Sequence, residues 1–243
     1  RSILAESPNV IVQPLETAIV RKIYVKEGQV VKKGELLAEL DPTFAASDET
    51  ATAAQMASLK AQVDRMRAEL ANKPYVSDGT QYGQLEELAY LQRHQQFTFQ
   101  LEDYDQKIKS LAAKVAQADA DVGSLTKQLV LLQKTEDMRR QLERMQVGSR
   151  LNTTQAELDR ESGQQKLDDA RHALEGAKRD LASMVAERDS WKHQWYADTQ
   201  NLESQQERLL SDMQGQTSKN ELRRKLIEMR ANTDSVVLSV SRV

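Results

Sequence analysis

Residues 25–42 read VKEGQVVKKGELLAELDP, and they set the terms for the rest of the chain. Glu27-Gly28 and Lys33-Gly34 place two glycine-centred turns six residues apart. Glycine is the residue that enters positive φ without steric cost, so each pair reads as a tight turn. Val30, Val31, Leu36, Leu37 and Leu40 around them predict short, half-buried strands. Upstream, Val10–Val12 and Ala18–Val25 read as further strands. Pro14 separates them, because a residue without an N–H cannot sit in a central strand. So few strands cannot close a barrel or sandwich, and the missing partners must come from elsewhere in the chain.

Asp41-Pro42-Thr43 ends the strands and opens a helix, with Asp41 or Thr43 as its cap and Pro42 near the first helical position. From there the composition changes. The chain of 243 residues is 29% charged and only 5% aromatic, and glycine and proline total thirteen (9 and 4). Such a mixture with a 3.5–3.6 residue period indicates long helices rather than a thick globular core. Helices are predicted at about 44–72, 84–147 and 153–230. A loop holding Pro74, Gly79 and Gly83 follows the first, and a turn at about 146–153 follows the second. Gly148 is placed just past the end of the second helix.

The second helix carries an apolar seam stepping by threes and fours: Leu101, Tyr104, Ile108, Leu111, Val115, Ala118, Val122, Leu125, Leu129, Leu132. Near Met138, Leu142 and Met145 its phase shifts. The third helix answers with Leu167, Ala170, Leu174, Ala177, Leu181, Met184, Arg188, Trp191, Trp195, Asp198, Leu202, Gln205, Leu209. A fold at Gly148 sets Leu132 against Leu167 and Leu101 near Asp198. This is an antiparallel coiled-coil hairpin, roughly 100 Å long from the helical rise. Arg188, Asp198 and Gln205 are register-setting polar members of the seam. Trp191 and Trp195 fill the wider gap where a third helix joins.

The last segment, RANTDSVVLSVSRV, turns β-branched again at Val236, Val237, Leu238 and Val240, where the hairpin returns to its base. The expected architecture is therefore mostly α with a small β module, a hairpin of three helices inserted in a split β-domain. The first half spans 1–43, the helices 44–230, and the second half begins at 231–243. Laid end to end, the two outgoing helices would overshoot the returning one by roughly 20 Å. The first helix must therefore overlap its neighbours in a local three-helix bundle near the base.

Several function classes fall away. Basic and acidic residues are interleaved and the net charge is −3, so there is no clustered basic face for nucleic acid. With no cysteine, thiolate catalysis and Cys-based metal sites are excluded, and the composition fits an oxidising compartment. His94, His172 and His193 are scattered in polar helical contexts without metal-ligand spacing, and no phosphate-cradling glycine loop is present. Met138 and Met145 could offer thioethers to a soft ion, but tip packing explains them better. Neither catalysis nor a cofactor is expected.

The run IVRKIYVKEGQVVKKGELLAELDPT, then a hairpin, then RANTDSVVLSV, resembles the haemolysin-D type of membrane fusion proteins, the periplasmic adaptors of secretion and efflux machines. Ile23, Val25, Glu27, Gly28, Val31, Gly34, Leu37, Leu40 and Asp41 match the pattern of that family's first lipoyl half. Arg230, Ala231, Asp234 and Val236 agree with the second. There Asn232 or Thr233 stands for the usual proline, and Ser235 for glycine. A true lipoate or biotin carrier would hold a lysine on a hairpin tip between the halves, whereas here the connection is the whole helical arm.

The resemblance implies an adaptor for type I secretion, joining an inner-membrane ABC transporter to a TolC-type outer-membrane channel. It further implies a ring of six copies, a periplasmic location, and a membrane anchor outside this fragment. The alternatives are an adaptor of a major-facilitator drug-efflux pump, or a structural coiled-coil tether. Adaptors of this kind often carry Arg-x3-Leu-x6-Ser at the hairpin tip. Here Glu143 takes the arginine place with Arg144 beside it, Val147 the leucine place and Thr154 the serine place. Channel-docking candidates are thus Arg144, Val147, Arg150, Leu151 and Thr154, and ring-contact candidates are Glu27, Gly28, Lys33 and Gly34.

Overall fold

The computed structural model describes residues 9–13, 20–40 and 43–240, with backbone only for 43–48, 220 and 223–227. Strands β1 (Val20–Ile23), β2 (Val30–Val31) and β3 (Leu36–Leu40) precede helices α1 (Thr43–Leu70), α2 (Gln81–Arg144) and α3 (Arg150–Ile227); β4 (Glu228–Arg230) and β5 (Ser235–Val236) follow. By internal contacts the chain forms two compact units, one of residues 1–90 with 199–243 and one of residues 91–198.

In the first unit the β-module is split, as its strand shortage requires. β3 lies between β1 and β4, and β2 pairs with β5, all antiparallel. Each glycine turn takes its partner from the returning chain. Gly28 (φ +83°) donates its N–H to the Val237 carbonyl at 2.7 Å, and Gly34 (φ +88°) donates to Ala231 at 2.8 Å. Val237 and Ala231 donate back to the carbonyls of Gln29 and Glu35. Between these pairs Asp234 Oδ1 accepts the Lys33 N–H at 2.6 Å. The turns repeat each other in detail, since Lys26 N–H bonds the Gln29 side chain and Lys32 N–H the Glu35 carboxylate. Val31, Ala38, Leu40 and Ala231 are buried in the module.

The same unit holds α1 between the beginning of α2 and the end of α3. Ala61, Val63 and Met66 are almost wholly buried, which a helix covered on one side only would not allow. Arg65 Nε reaches Glu86 of α2 at 2.5 Å and its Nη1 reaches Glu69. Two residues on, Arg67 turns to α3 and pairs with Glu203 at 3.1 Å and Glu207 at 2.6 Å. Carboxylates on both sides hold the Arg67 guanidinium further above its usual range, Glu207 contributing most. Met56 Sδ accepts the Thr217 hydroxyl. The overlap demanded by the helix lengths is therefore a three-helix packing, clamped by two arginines.

Several boundaries move. Val10–Val12 form no strand, β1 ends at Ile23 rather than Val25, and residues 14–19, 41 and 42 lie outside the described residues. α2 begins at Gln81, not 84, because the Thr80 hydroxyl accepts the Gly83 N–H and so caps the helix. Asp78 in turn accepts from Thr80, which holds its carboxyl below the usual range. α3 starts at Arg150 because Ser149 Oγ accepts the Asn152 N–H. It stops at Ile227 rather than 230 because Glu228–Arg230 already pair with β3.

The second unit is an antiparallel pair of helices. Its α2 seam runs as the spacing indicates, every seam position from Tyr104 to Leu132 being more covered than its neighbours, while Leu101 shares its cover with Gln100. Its register differs. Leu132 faces Gly163, where a Cβ would stand 2.6 Å from Leu132 Cδ1. Glu136 faces Arg160, Asp105 faces Arg188, and Tyr104 packs on Trp191. The pairing of Leu132 with Leu167 and of Leu101 with Asp198 is thus corrected by about one turn, a consequence of the shorter link between helices. The α3 seam also changes phase. Covered positions follow 188, 191 and 195, then move to 199, 203, 206, 210 and 213, leaving Asp198, Leu202, Gln205 and Leu209 exposed. Three successive steps of four rotate the stripe out of heptad phase.

Candidate functional site, the hairpin turn

α2 ends in a Schellman motif. Gln146 at φ +59° occupies the left-handed position, its N–H bonding the Glu143 carbonyl and the Val147 N–H bonding Leu142. Gln146, not Gly148, is therefore the terminating residue. Gly148 matters for space, since a Cβ there would lie 3.1 Å from Leu142 Cβ and 3.3 Å from the Glu143 nitrogen.

All five docking candidates stand exposed around this turn. Arg144 closes α2 and Arg150 opens α3, while Val147 and Leu151 are 74% and 77% exposed; Thr154 is exposed one turn on. Among the described residues, Arg139, Arg144 and Arg150 have no carboxylate within ion-pair distance. Four apolar side chains missed by the family spacing join them: Met138, Leu142, Met145 and Leu158, each exposed. Their signal was present in the sequence. Met138, Leu142 and Met145 step by four and three, with Leu131 one heptad before. That stripe is a second, outward face, not a shifted seam, because the seam itself continues from Leu132 to buried Glu136.

The interior of the turn region is polar. Glu136, 3% exposed, accepts from Arg140 at 2.7 Å on its own helix and is paired with Arg160 Nε across the hairpin. The Arg140 hydrogen bond, helped by Arg160 and opposed by burial, holds its carboxyl below the ordinary range. Thr153 donates to the Arg139 carbonyl.

Further along this unit, Phe97, Trp191, Trp195 and Tyr196 meet with ring centroids 5.3–5.8 Å apart, and the Arg93 guanidinium lies over Trp195 at 4.4 Å. The tryptophans thus fill the α2–α3 seam.

The ring-contact candidates Glu27, Gly28, Lys33 and Gly34 are exposed on the β-module. Their backbone groups serve the module itself, through Val237, Ala231 and Asp234, and Glu27 Oε1 accepts the Val240 N–H at 3.4 Å.

Split module, helical hairpin and returning strands together have a counterpart among solved structures. The chain is similar to the soluble domain of LipC, a membrane fusion protein of a type I secretion system. The TM-score is 0.84 at 15% sequence identity, over 94% of this chain and 91% of that one. The chain has the fold of a membrane fusion protein's soluble domain. The periplasmic adaptor protein EmrA is matched more loosely, with TM-score 0.46 at 14% identity over 90% of this chain and 62% of that one. No protein-family model and no curated protein matches the chain. The turn at 145–149 joins α2 to α3 and closes the hairpin of the second unit. Among the described residues no helix is long and apolar enough to cross a membrane, and no cluster of His, Cys, Asp and Glu could hold a metal ion.

Proposed function

We propose that this chain is the hairpin and lipoyl-like portion of a haemolysin-D type periplasmic adaptor of a type I secretion system. It joins an inner-membrane ABC transporter to a TolC-type outer-membrane channel and works by assembly, without catalysis of its own. The supporting observation is the 0.84 TM-score to LipC over nearly the full length of both chains. The exposed apolar and arginine residues at Met138–Leu151 suit a wet, partly polar docking surface for the channel. The exposed turns at Glu27–Gly34 suit contacts within a ring of six copies. The location is the periplasm, held at the inner membrane.

Crosslinking in intact cells followed by affinity purification of the chain tests the proposal. One complex holding both an ABC transporter and an outer-membrane channel is the expected product. A major-facilitator transporter in its place would convert the assignment to an efflux adaptor, and recovery of neither membrane protein would overturn it.

A further inference from the structure

The end of the hairpin is inside out. Between the Leu132–Gly163 contact and the turn, the buried positions are Glu136, Thr153 and Ala156, Arg160 is among the half-buried ones, and no large apolar side chain is covered. The large apolar residues Met138, Leu142, Met145, Val147 and Leu151 point outward, 38–77% exposed. Apolar burial therefore does little to fix the register of α2 on α3 here. Directional contacts must do it, and they centre on one carboxylate. Glu136 Oε1 takes Arg140 Nη2 at 2.7 Å and Nε at 3.2 Å, and Oε2 takes Arg160 Nε. Arg140 Nη2 is also 3.8 Å from Glu157 of α3.

We infer that Glu136 is a positioning residue for the docking tip: its buried carboxylate, steadied by Arg140 of its own helix, pairs across the hairpin with half-buried Arg160 and so fixes the helix register that displays the outward apolar crown. The inference deepens the proposed function and rests on it for the identity of the docking partner. A slip of one turn would move one helix by about 5.4 Å against the other and break up the crown. A buried ion pair contributes little net stability over an apolar pair, while one polar contact in an apolar seam excludes alternative registers. Position and stability are thus separable by mutation.

The test uses the full-length adaptor carrying nitroxide labels at Lys134 and Glu161, exposed positions on either side of the pair. A separate, unlabelled variant carries Val147→Cys for crosslinking to the purified outer-membrane channel. Glu136→Leu with Arg160→Leu is expected to melt no lower than the parent, yet to broaden the label distance distribution and lose the channel crosslink. A distribution as narrow as the parent's, with crosslinking intact, would overturn the inference. Glu136→Gln keeps the shape without the charge and keeps the test decisive if the double variant does not fold. Broadening is expected there too, and a parent-like distribution would overturn the inference. If the parent itself gives no crosslink, tip docking fails, while the distances still decide whether Glu136 sets the register.

Discussion

The hairpin unit and the base unit use one helix, α3, in two different ways. In the hairpin α3 has a single partner, and its covered positions follow the heptad stripe through Leu167, Leu174 and Trp191. In the base it faces α1, through Glu203 and Glu207 on Arg67 and Thr217 on Met56, and the covered stripe moves to Thr199, Glu203 and Met213. Leu202 and Leu209 continue the heptad but stand 44% and 46% exposed. A heptad is a rule for two helices, so it stops predicting where a third arrives.

Truncation should expose this difference most sharply. Leu167→Ala, at a site 2% exposed, is expected to cost about 2–5 kcal/mol. Trp191 and Trp195 lie in the same unit, so fluorescence during urea unfolding reads it. Leu202→Ala should change stability by no more than about 0.5 kcal/mol by circular dichroism. Equal costs would mean that the heptad runs on unbroken.

Next in size is the clamp on α1. Arg65, with its side chain 11% exposed, pairs with Glu86 and Glu69, and its removal takes the guanidinium from the well-covered Glu86 carboxylate of α2. Arg65→Ala is expected to cost about 3 kcal/mol. Arg67 is 53% exposed, and Arg67→Ala should cost about 1 kcal/mol. Thermal melts of the two variants rank them, and a reversed order would place the anchoring of α1 on α3.

Much of this was legible in the sequence. The glycine turns, the three helices and the split of the β-module followed from Gly28, Gly34 and the return of valines after Ala231. The α2 seam was legible residue by residue, because one partner and one period describe it. The terminator at Gln146 was not, since left-handed backbone is unusual outside glycine and only the paired bonds to Glu143 and Leu142 reveal it. Nor was buried Glu136: a charged residue at a seam position reads as a break until Arg160 is seen across from it. The outward stripe at Met138, Leu142 and Met145 was visible, but its period gave no sign of which face it served.

Smaller effects sharpen the comparison further. Glu136 has its folded pKa below the ordinary value, so its contribution is complete above about pH 4.3. It is lost as pH falls from there through the folded pKa. The melting difference between parent and Glu136→Gln should therefore be constant at neutral pH and shrink below that point. A gap that widens on acidification would refute the ion-pair account. Glycines separate the two units at the lowest magnitude. In the base, Gly215→Ala meets nothing within 4 Å and should stabilise α3 by about 0.5–1 kcal/mol. In the hairpin, Gly163→Ala drives a Cβ against Leu132 and should fall short of that gain or reverse it.

The central claim is that the hairpin tip touches an outer-membrane channel. The chain has no cysteine, so Val147→Cys supplies its only thiol, 74% exposed in the parent at that position. Treatment of secreting cells with a thiol-directed photocrosslinker should join this position to the channel, and a cysteine at exposed Gly123 in the middle of α2 should not form the product. Equal yield from both positions, or no channel adduct from any position between 144 and 154, would contradict it.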